Sequence, residues 1–294
     1  MGLDVQSFFT RAAGWLAEAG GAFASLVFPA PCRVCGGVLL TANRVPICQE
    51  CLASFVPIPH PICSGCGRAI VSERVGEAPE ILCRLCRLGV YAFTRARSYG
   101  VYEDAMVRAV VLLKYEPIVP LARWFANRLA EVFRREAESL RADLLVPVPL
   151  HRDRQRERGY NQAELIARPL ASALKIHYDD RVLVRTKPRP DRRRLSLHQR
   201  WAAVRGAYAI RPGSRVDNLR VLLVDDVMTT GATLDACARA LRKSGAAAVT
   251  ALTVARALRI GPVAPVSVPR EQGPRLERDS AKSGVGAYSE PGKG

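Results

Sequence analysis

Between residues 91 and 258 the chain alternates two apolar patterns, one with the spacing of a helix and one of short unbroken runs. Met106, Ala109, Val110 and Leu113 recur at the three- and four-residue intervals that place side chains on one helical face. Leu121, Trp124, Phe125, Leu129, Val132 and Phe133 continue that spacing and predict a longer helix. Leu144, Leu145, Val146 and Val148 form a run too short for a helix; it stops at Pro147 and Pro149 and predicts a buried strand. A further helix is predicted from about Asn161 to Leu174, disturbed by Pro169, which removes one helical hydrogen bond. Val221, Leu222, Leu223 and Val224 predict a second buried strand, whose run ends abruptly in Asp225-Asp226. Leu234, Cys237, Ala238 and Leu241 line a helix closed by Gly245, and Val249, Leu252 and Val254 predict a last strand. Strands separated by helices pair in parallel, and such sheets bind ligands beyond the carboxyl ends of their strands. The predicted class is α/β.

The flanks differ. Residues 29–90 are rich in Cys, Gly and Pro with little periodicity, and residues 259–294 hold Gly, Pro, Ser and mixed charge with almost no large apolar side chain. That tail cannot repay its ordering entropy and is expected to be disordered. Residues 1–28 carry Phe8, Phe9, Trp15, Leu16, Phe23, Leu26, Val27 and Phe28, interrupted by Arg11 and Glu18, with Asp4 ahead of any basic residue. This reads as an amphipathic helix packed on the body rather than a secretory leader or a membrane-surface helix. The expected organisation is an amphipathic region (1–28), a cysteine-rich domain (29–90), an α/β domain (91–258) and a tail (259–294).

Composition narrows the function. At 294 residues and 49% apolar, the chain can bury a sizeable core, which excludes disorder throughout. No apolar run reaches the length of a membrane span. The balance of 44 Lys and Arg against 27 Asp and Glu leaves +17, which points to a polyanionic or phosphorylated partner. At 6% aromatic, the chain is poor in the residues a dedicated base-stacking protein needs.

Eight of the nine cysteines form four Cys-x-x-Cys pairs: Cys32/Cys35, Cys48/Cys51, Cys63/Cys66 and Cys83/Cys86. A two-residue gap lets both thiolates of one tight turn face one metal, and two such turns complete a tetrahedron. Gly36 and Gly67 follow two of these turns, where a reversing chain benefits from positive φ. The expectation is two structural zinc sites, each held by four cysteines. Most simply, Cys32, Cys35, Cys48 and Cys51 form one and Cys63, Cys66, Cys83 and Cys86 the other, with an interleaved pairing left open. Free thiolates of this kind imply a reducing cytoplasm.

The stretch VLLVDDVMTTGAT, residues 221–233, carries the clearest chemistry. A buried strand delivers Asp225 and Asp226 into a crevice, and Thr229, Thr230, Gly231, Ala232 and Thr233 then open a helix. Backbone N–H groups at such a start, joined by threonine hydroxyls, form a nest for a phosphate dianion. Carboxylates beside it would repel phosphate, so they read instead as acceptors for sugar hydroxyls. The arrangement suits a ribose 5-phosphate. It is neither a Walker loop nor a dinucleotide fingerprint.

This stretch resembles the phosphoribosyl pyrophosphate signature of type I phosphoribosyltransferases. FPAPCRVCGG, YEDAMVRAVVLLKY at 102–115, VPVPLHRDRQRERGYNQAELIA at 146–167 and RWAAVRGAY at 200–208 narrow the resemblance to the ComF family, associated with bacterial competence for DNA uptake. The resemblance implies a type I phosphoribosyltransferase-like parallel sheet flanked by helices, preceded by a double zinc ribbon. It makes Asp225 and Asp226 the ribose-contacting acids and Val227 to Thr233, including Met228, the 5-phosphate loop. It places Arg152, Arg154 and Arg158 near pyrophosphate and matches Lys114 to the family's lysine at the end of an early helix. Gly159, Tyr160, Asn161 and Gln162 match its RGYNQ string. Mg2+ would accompany phosphoribosyl pyrophosphate. From Arg181 to Arg205 there are nine basic residues and one acid, a segment suited to closing over pyrophosphate or to gripping single-stranded DNA, with Trp201 as a stacking platform. Two functions remain open: a transferase, and a non-catalytic, nucleotide-sensing, DNA-binding module that works with uptake proteins.

Overall fold

The structure, a computed structural model, describes residues 30–39, 44–70, 80–188 and 197–258. The expectations for residues 1–28 and for the tail beyond 258 lie outside the described residues, as do Arg192, Arg193 and Arg194 of the basic segment.

A five-stranded parallel sheet forms the centre, in the order β1-β7-β6-β2-β3. Its strands are β1 (Arg95–Val101), β2 (Leu144–Pro147), β3 (His177–Tyr178), β6 (Arg220–Met228) and β7 (Ala248–Arg256). β4 (Leu183–Arg185) and β5 (Tyr208–Ile210) pair as a separate antiparallel hairpin. Central strands β2, β6 and β7 are covered on both faces, which explains their unbroken apolar runs. Leu222 and Val224 belong to the core on one face, with α3 (Asp104–Tyr115), α4 (Val119–Arg135), the short α5 (Ala137–Leu140) and α7 (Gln162–Leu174). Val221 and Leu223 alternate onto the other face, against α9 (Ala232–Lys243).

The connections leaving β2 and β6 diverge. β2 leads through α6 (Arg152–Arg158) and α7 to β3 on one side, and β6 leads through α9 to β7 on the other. The crevice beyond the carboxyl ends of β2 and β6 is thus the topological switch point, where open parallel sheets hold ligands. Among the described residues, no helix is long and apolar enough to cross a membrane.

Two sequence expectations need correction. β6 does not end at Val224: its parallel pairing with β7 continues through Val227–Ala255 and Met228–Arg256, and Met228 O accepts from the Ala257 N–H at 3.0 Å. The two acids therefore lie within the strand, and Val227 and Met228 belong to it rather than to a loop. α7 also runs unbroken through Pro169; one missing N–H does not outweigh an apolar face of Ala163, Ile166, Ala167, Leu170 and Ala171.

The cysteine-rich segment folds as two small knots built alike, with short helices α1 (Gln49–Ala53) and α2 (Arg84–Arg87). Pro31 bridges Val38 in one, and Ile62 bridges Ala69 in the other. The first knot packs Phe55 edge-on against Trp124 of α4, with centroids 5.6 Å apart. The second presses onto β1: a methyl group at Gly67 would lie 2.7 Å from Ala96 O, so only glycine, here at φ +67°, fits.

Candidate functional site

Asp226 is the centre of the crevice. It is 6% exposed, and alternation along β6 turns it toward α7 while Asp225 faces the α9 side. Its Oδ2 accepts from Lys114 Nζ and from Gln162 Nε2, both at 3.1 Å, and its Oδ1 accepts from the Val227 N–H at 2.6 Å. Gln162 Oε1 in turn accepts from Arg158 Nη1. Lys114, Arg158 and Asp226 are thus joined, through Gln162, in one polar chain at the switch point. Buried carboxylates need such partners, because an unpaired buried charge is costly. Asp225 is half-buried, and its Oδ1 accepts from the Asp226 N–H at 2.9 Å.

Each residue of the RGYNQ string has a separate mechanical task. Gly159 ends α6 in the left-handed conformation, at φ +78°. Tyr160 donates its hydroxyl to Leu113 O at 3.0 Å, tying the turn to the end of α3 that carries Lys114. Asn161 caps α7 by accepting from the Ala163 N–H, and donates to Val148 O at the end of β2. Gln162 then reaches Asp226. Burial raises the Tyr102 phenol above its usual range, and Lys114 Nζ lies 5.9 Å over that ring. Arg152 and Arg154 are exposed on α6, outside the polar chain.

The loop after β6 is held from the far side. Gly231 is the N-cap of α9 at φ +80°, and a methyl group there would lie 2.8 Å from both Met228 Cε and Tyr91 Cε1. On its Cα side, Gly231 is thus closed in by these two side chains. Thr230 is 5% exposed; its Oγ1 accepts from the Ala232 N–H at 3.2 Å, and its carbonyl accepts from Tyr91 Oη at 2.9 Å. The Ala92 N–H donates to Asp235 of α9 at 2.7 Å, and Arg239 bonds both Asp235 and Val90 O. Trp201, on α8 (Leu197–Ala202), packs on Tyr91 with centroids 5.8 Å apart. Sequence reasoning overlooked Tyr91, Asp235 and Arg239, whose roles depend on partners far along the chain.

The eight paired cysteines gather as Cys32, Cys35, Cys48 and Cys51, and as Cys63, Cys66, Cys83 and Cys86; within each group the sulfurs lie within 4.8 Å of one another. The interleaved pairing is excluded. Sulfurs sit 4.0 Å apart for Cys32–Cys51 and 3.7 Å for Cys35–Cys48 and Cys66–Cys83. Four sulfurs about 2.3 Å from one tetrahedral Zn2+ would be about 3.8 Å apart, so the donor sets fit zinc. Backbone N–H groups point at the sulfurs, among them Cys48 N to Cys32 Sγ and Cys83 N to Cys63 Sγ, each at 3.2 Å. Burial pushes the Cys32 thiol up, but N–H groups of Cys35, Cys48 and Val34 outweigh it and hold it at about 6. Beside the second cluster, Arg68 Nη2 and Arg256 Nε are buried without a hydrogen-bond partner among the described residues. Orphaned cationic groups there suit a tetrathiolate centre, which with a divalent metal carries net negative charge.

The sequence model of the family described as the phosphoribosyl transferase domain matches residues 157–267, and that of the double zinc ribbon domain matches residues 23–87. The DNA utilization protein YhgH of Salmonella typhimurium is 30% identical over 224 residues, covering 72% of this chain and 97% of that protein. Competence protein ComFC of Bacillus subtilis is 26% identical, covering 71% of this chain and 84% of that protein. The chain belongs to the ComF family.

The order of a ComF-type chain, double zinc ribbon followed by a phosphoribosyl transferase domain, is the order found here. Among solved structures, the glutamine phosphoribosylpyrophosphate amidotransferase of B. subtilis is 22% identical, with a TM-score of 0.34 over 49% of this chain and 30% of that one. That overlap is partial; the fold is defined by the strand order and the family matches. Two zinc sites and a phosphoribosyltransferase-type domain follow directly.

Proposed function

We propose that this protein binds phosphoribosyl pyrophosphate with Mg2+ beyond the carboxyl ends of β2 and β6 and transfers its phosphoribosyl group to an acceptor, releasing pyrophosphate. The observation that carries the reading is the chain Arg158–Gln162–Asp226–Lys114 immediately before the Thr229–Thr233 helix start. Cations, a buried acid and a helix start meet at one switch point, and a phosphorylated sugar with a polyphosphate leaving group calls for that combination.

In this reading, the N–H groups and hydroxyls from Thr229 to Thr233 take the 5-phosphate at the start of α9. Asp225 and Asp226 accept from the ribose hydroxyls. Lys114 neutralises Asp226 in the free protein and shares its charge with pyrophosphate in the complex; Arg158, Arg152 and Arg154 add further positive charge. Bound with the substrate, Mg2+ supplies neutralisation of the leaving oxygens. As the bond between C1 and pyrophosphate breaks and the acceptor's bond to C1 forms, the residues position and neutralise rather than react covalently. Cys237 is no nucleophile: it is fully buried, and burial holds its thiol well above the usual range. The names of the relatives and the charge of +17 support a setting in DNA uptake or use, with single-stranded DNA and uptake proteins as partners, and the free cysteine pairs support the cytoplasm.

Pyrophosphate release from phosphoribosyl pyrophosphate, followed across a panel of nitrogenous acceptors, tests the proposal. Acceptor-dependent release that disappears in Asp226→Ala is the expected outcome. Substrate binding without release for every acceptor would replace transfer by the non-catalytic module.

A further inference from the structure

Arg256, the last residue of β7, lies apart from the polar chain at Asp226, yet it is 0% exposed. Its guanidinium spans two sites. Nη1 donates to Cys66 O at 2.6 Å and lies 2.8 Å from Met228 Sδ, while Nη2 approaches Cys66 Sγ at 3.5 Å. On one side is a ligand of the second cysteine cluster. On the other is Met228, whose Cε marks one wall of the space around Gly231 in the phosphate loop. Tyr91, five residues after Cys86, forms the opposite wall and bonds Thr230 O.

Four thiolates and one divalent zinc carry two net negative charges, and the second cluster has two guanidinium groups, Arg68 and Arg256, with buried nitrogens lacking hydrogen-bond partners among the described residues. A filled second site compensates the buried Arg256 cation. An empty one leaves that cation facing the Cys66 carbonyl and thiol and the Met228 thioether, without the charge of a metal tetrathiolate. The first cluster grips a different part of the fold: Arg108 Nη1 donates to Val34 O at 2.8 Å, and Arg33 pairs with Glu116 next to the end of α3.

We propose that Arg256 is a positioning residue that couples the second zinc site to the 5-phosphate loop, so that metal at Cys63, Cys66, Cys83 and Cys86 and phosphate at Thr229–Thr233 strengthen each other's binding. The ligand half of this coupling rests on the phosphoribosyl reading above; the mechanical half, from metal to loop, stands without it. Linkage makes the effect reciprocal: if zinc tightens the loop's ligand, that ligand retains zinc by the same factor.

The test compares the zinc-loaded full-length protein with Arg256→Met and Arg256→Lys. In Arg256→Met, one of two zinc ions should transfer to a chromogenic chelator about tenfold faster, and amide exchange should rise at Met228–Ala232 while the α4 and α7 amides stay protected. Ribose 5-phosphate should bind about tenfold more weakly and slow zinc release less, whereas Mg2+-pyrophosphate affinity should be unchanged. Arg256→Lys, which keeps the charge, should recover part of each loss. Unchanged zinc release and loop exchange in Arg256→Met would overturn the proposal, as would exchange rising equally throughout the domain. If wild-type protein binds no ribose 5-phosphate, the phosphoribosyl reading fails, and the zinc and exchange measurements still decide the coupling.

Discussion

Gln162 donates from Nε2 to Asp226 and accepts at Oε1 from Arg158, so its amide orientation is set by the two groups it joins. At 4% exposure it is almost beyond the reach of water. Gln162→Leu keeps much of the volume but removes both bonds, leaving Arg158 without this acceptor and Asp226 with Lys114 as its remaining side-chain donor among these contacts. A loss of about 1–3 kcal/mol in urea-unfolding stability is expected, together with weaker substrate binding. Unchanged values for both would mean that Gln162 fills space only. At this scale the sequence made part of the site legible. Asp226, Lys114 and Arg158 declare themselves by charge and motif. Tyr91 and Arg256 do not, because the one meets Thr230 and the other Cys66 across 139 and 190 residues.

Among the elements, long apolar runs were readable because burial on both faces leaves one solution for each. β1 was not, since its sequence RARSYGV opens with two arginines. The fold neutralises them: Arg97, 6% exposed, pairs with Glu136, which also meets Arg95 at 3.6 Å. The end of β6 was misplaced because a pair of acids ordinarily marks a turn, whereas pairing with β7 and the partners of Asp226 carry the strand past them. At the opposite end of β2 and β6, Asp143 accepts from the Arg220 N–H and Nε, both at 2.9 Å. The Arg220 side chain and N–H hold the Asp143 carboxyl down at about 2. Because the folded value is depressed below the usual carboxylate range, the pair stabilises the protein above about pH 4 and loses its effect as pH falls toward 2. Asp143→Asn should therefore lower stability near neutral pH and converge with wild type in acid, measured as the difference in urea midpoint so that effects shared by both proteins cancel. A constant difference across that range would contradict the assignment.

As a whole, the molecule connects both cysteine knots to the elements that form the crevice at the switch point. The first knot abuts α3, whose end carries Lys114; the second is wired through Arg256 and Tyr91 to the loop that opens α9. The sequence announced the knots through cysteine spacing and the crevice through VLLVDDVMTTGAT, but not their junction, which is made by single side chains in otherwise ordinary surroundings. Whether this crevice takes phosphoribosyl pyrophosphate is read out by calorimetric titration of the zinc-loaded 294-residue chain, with and without Mg2+. Saturable binding at one site, dependent on Mg2+ and weakened at least about tenfold by Asp226→Asn through loss of a charge-assisted hydrogen bond, is the predicted result. Absence of binding at millimolar ligand, or binding indifferent to Asp226→Asn, would contradict it.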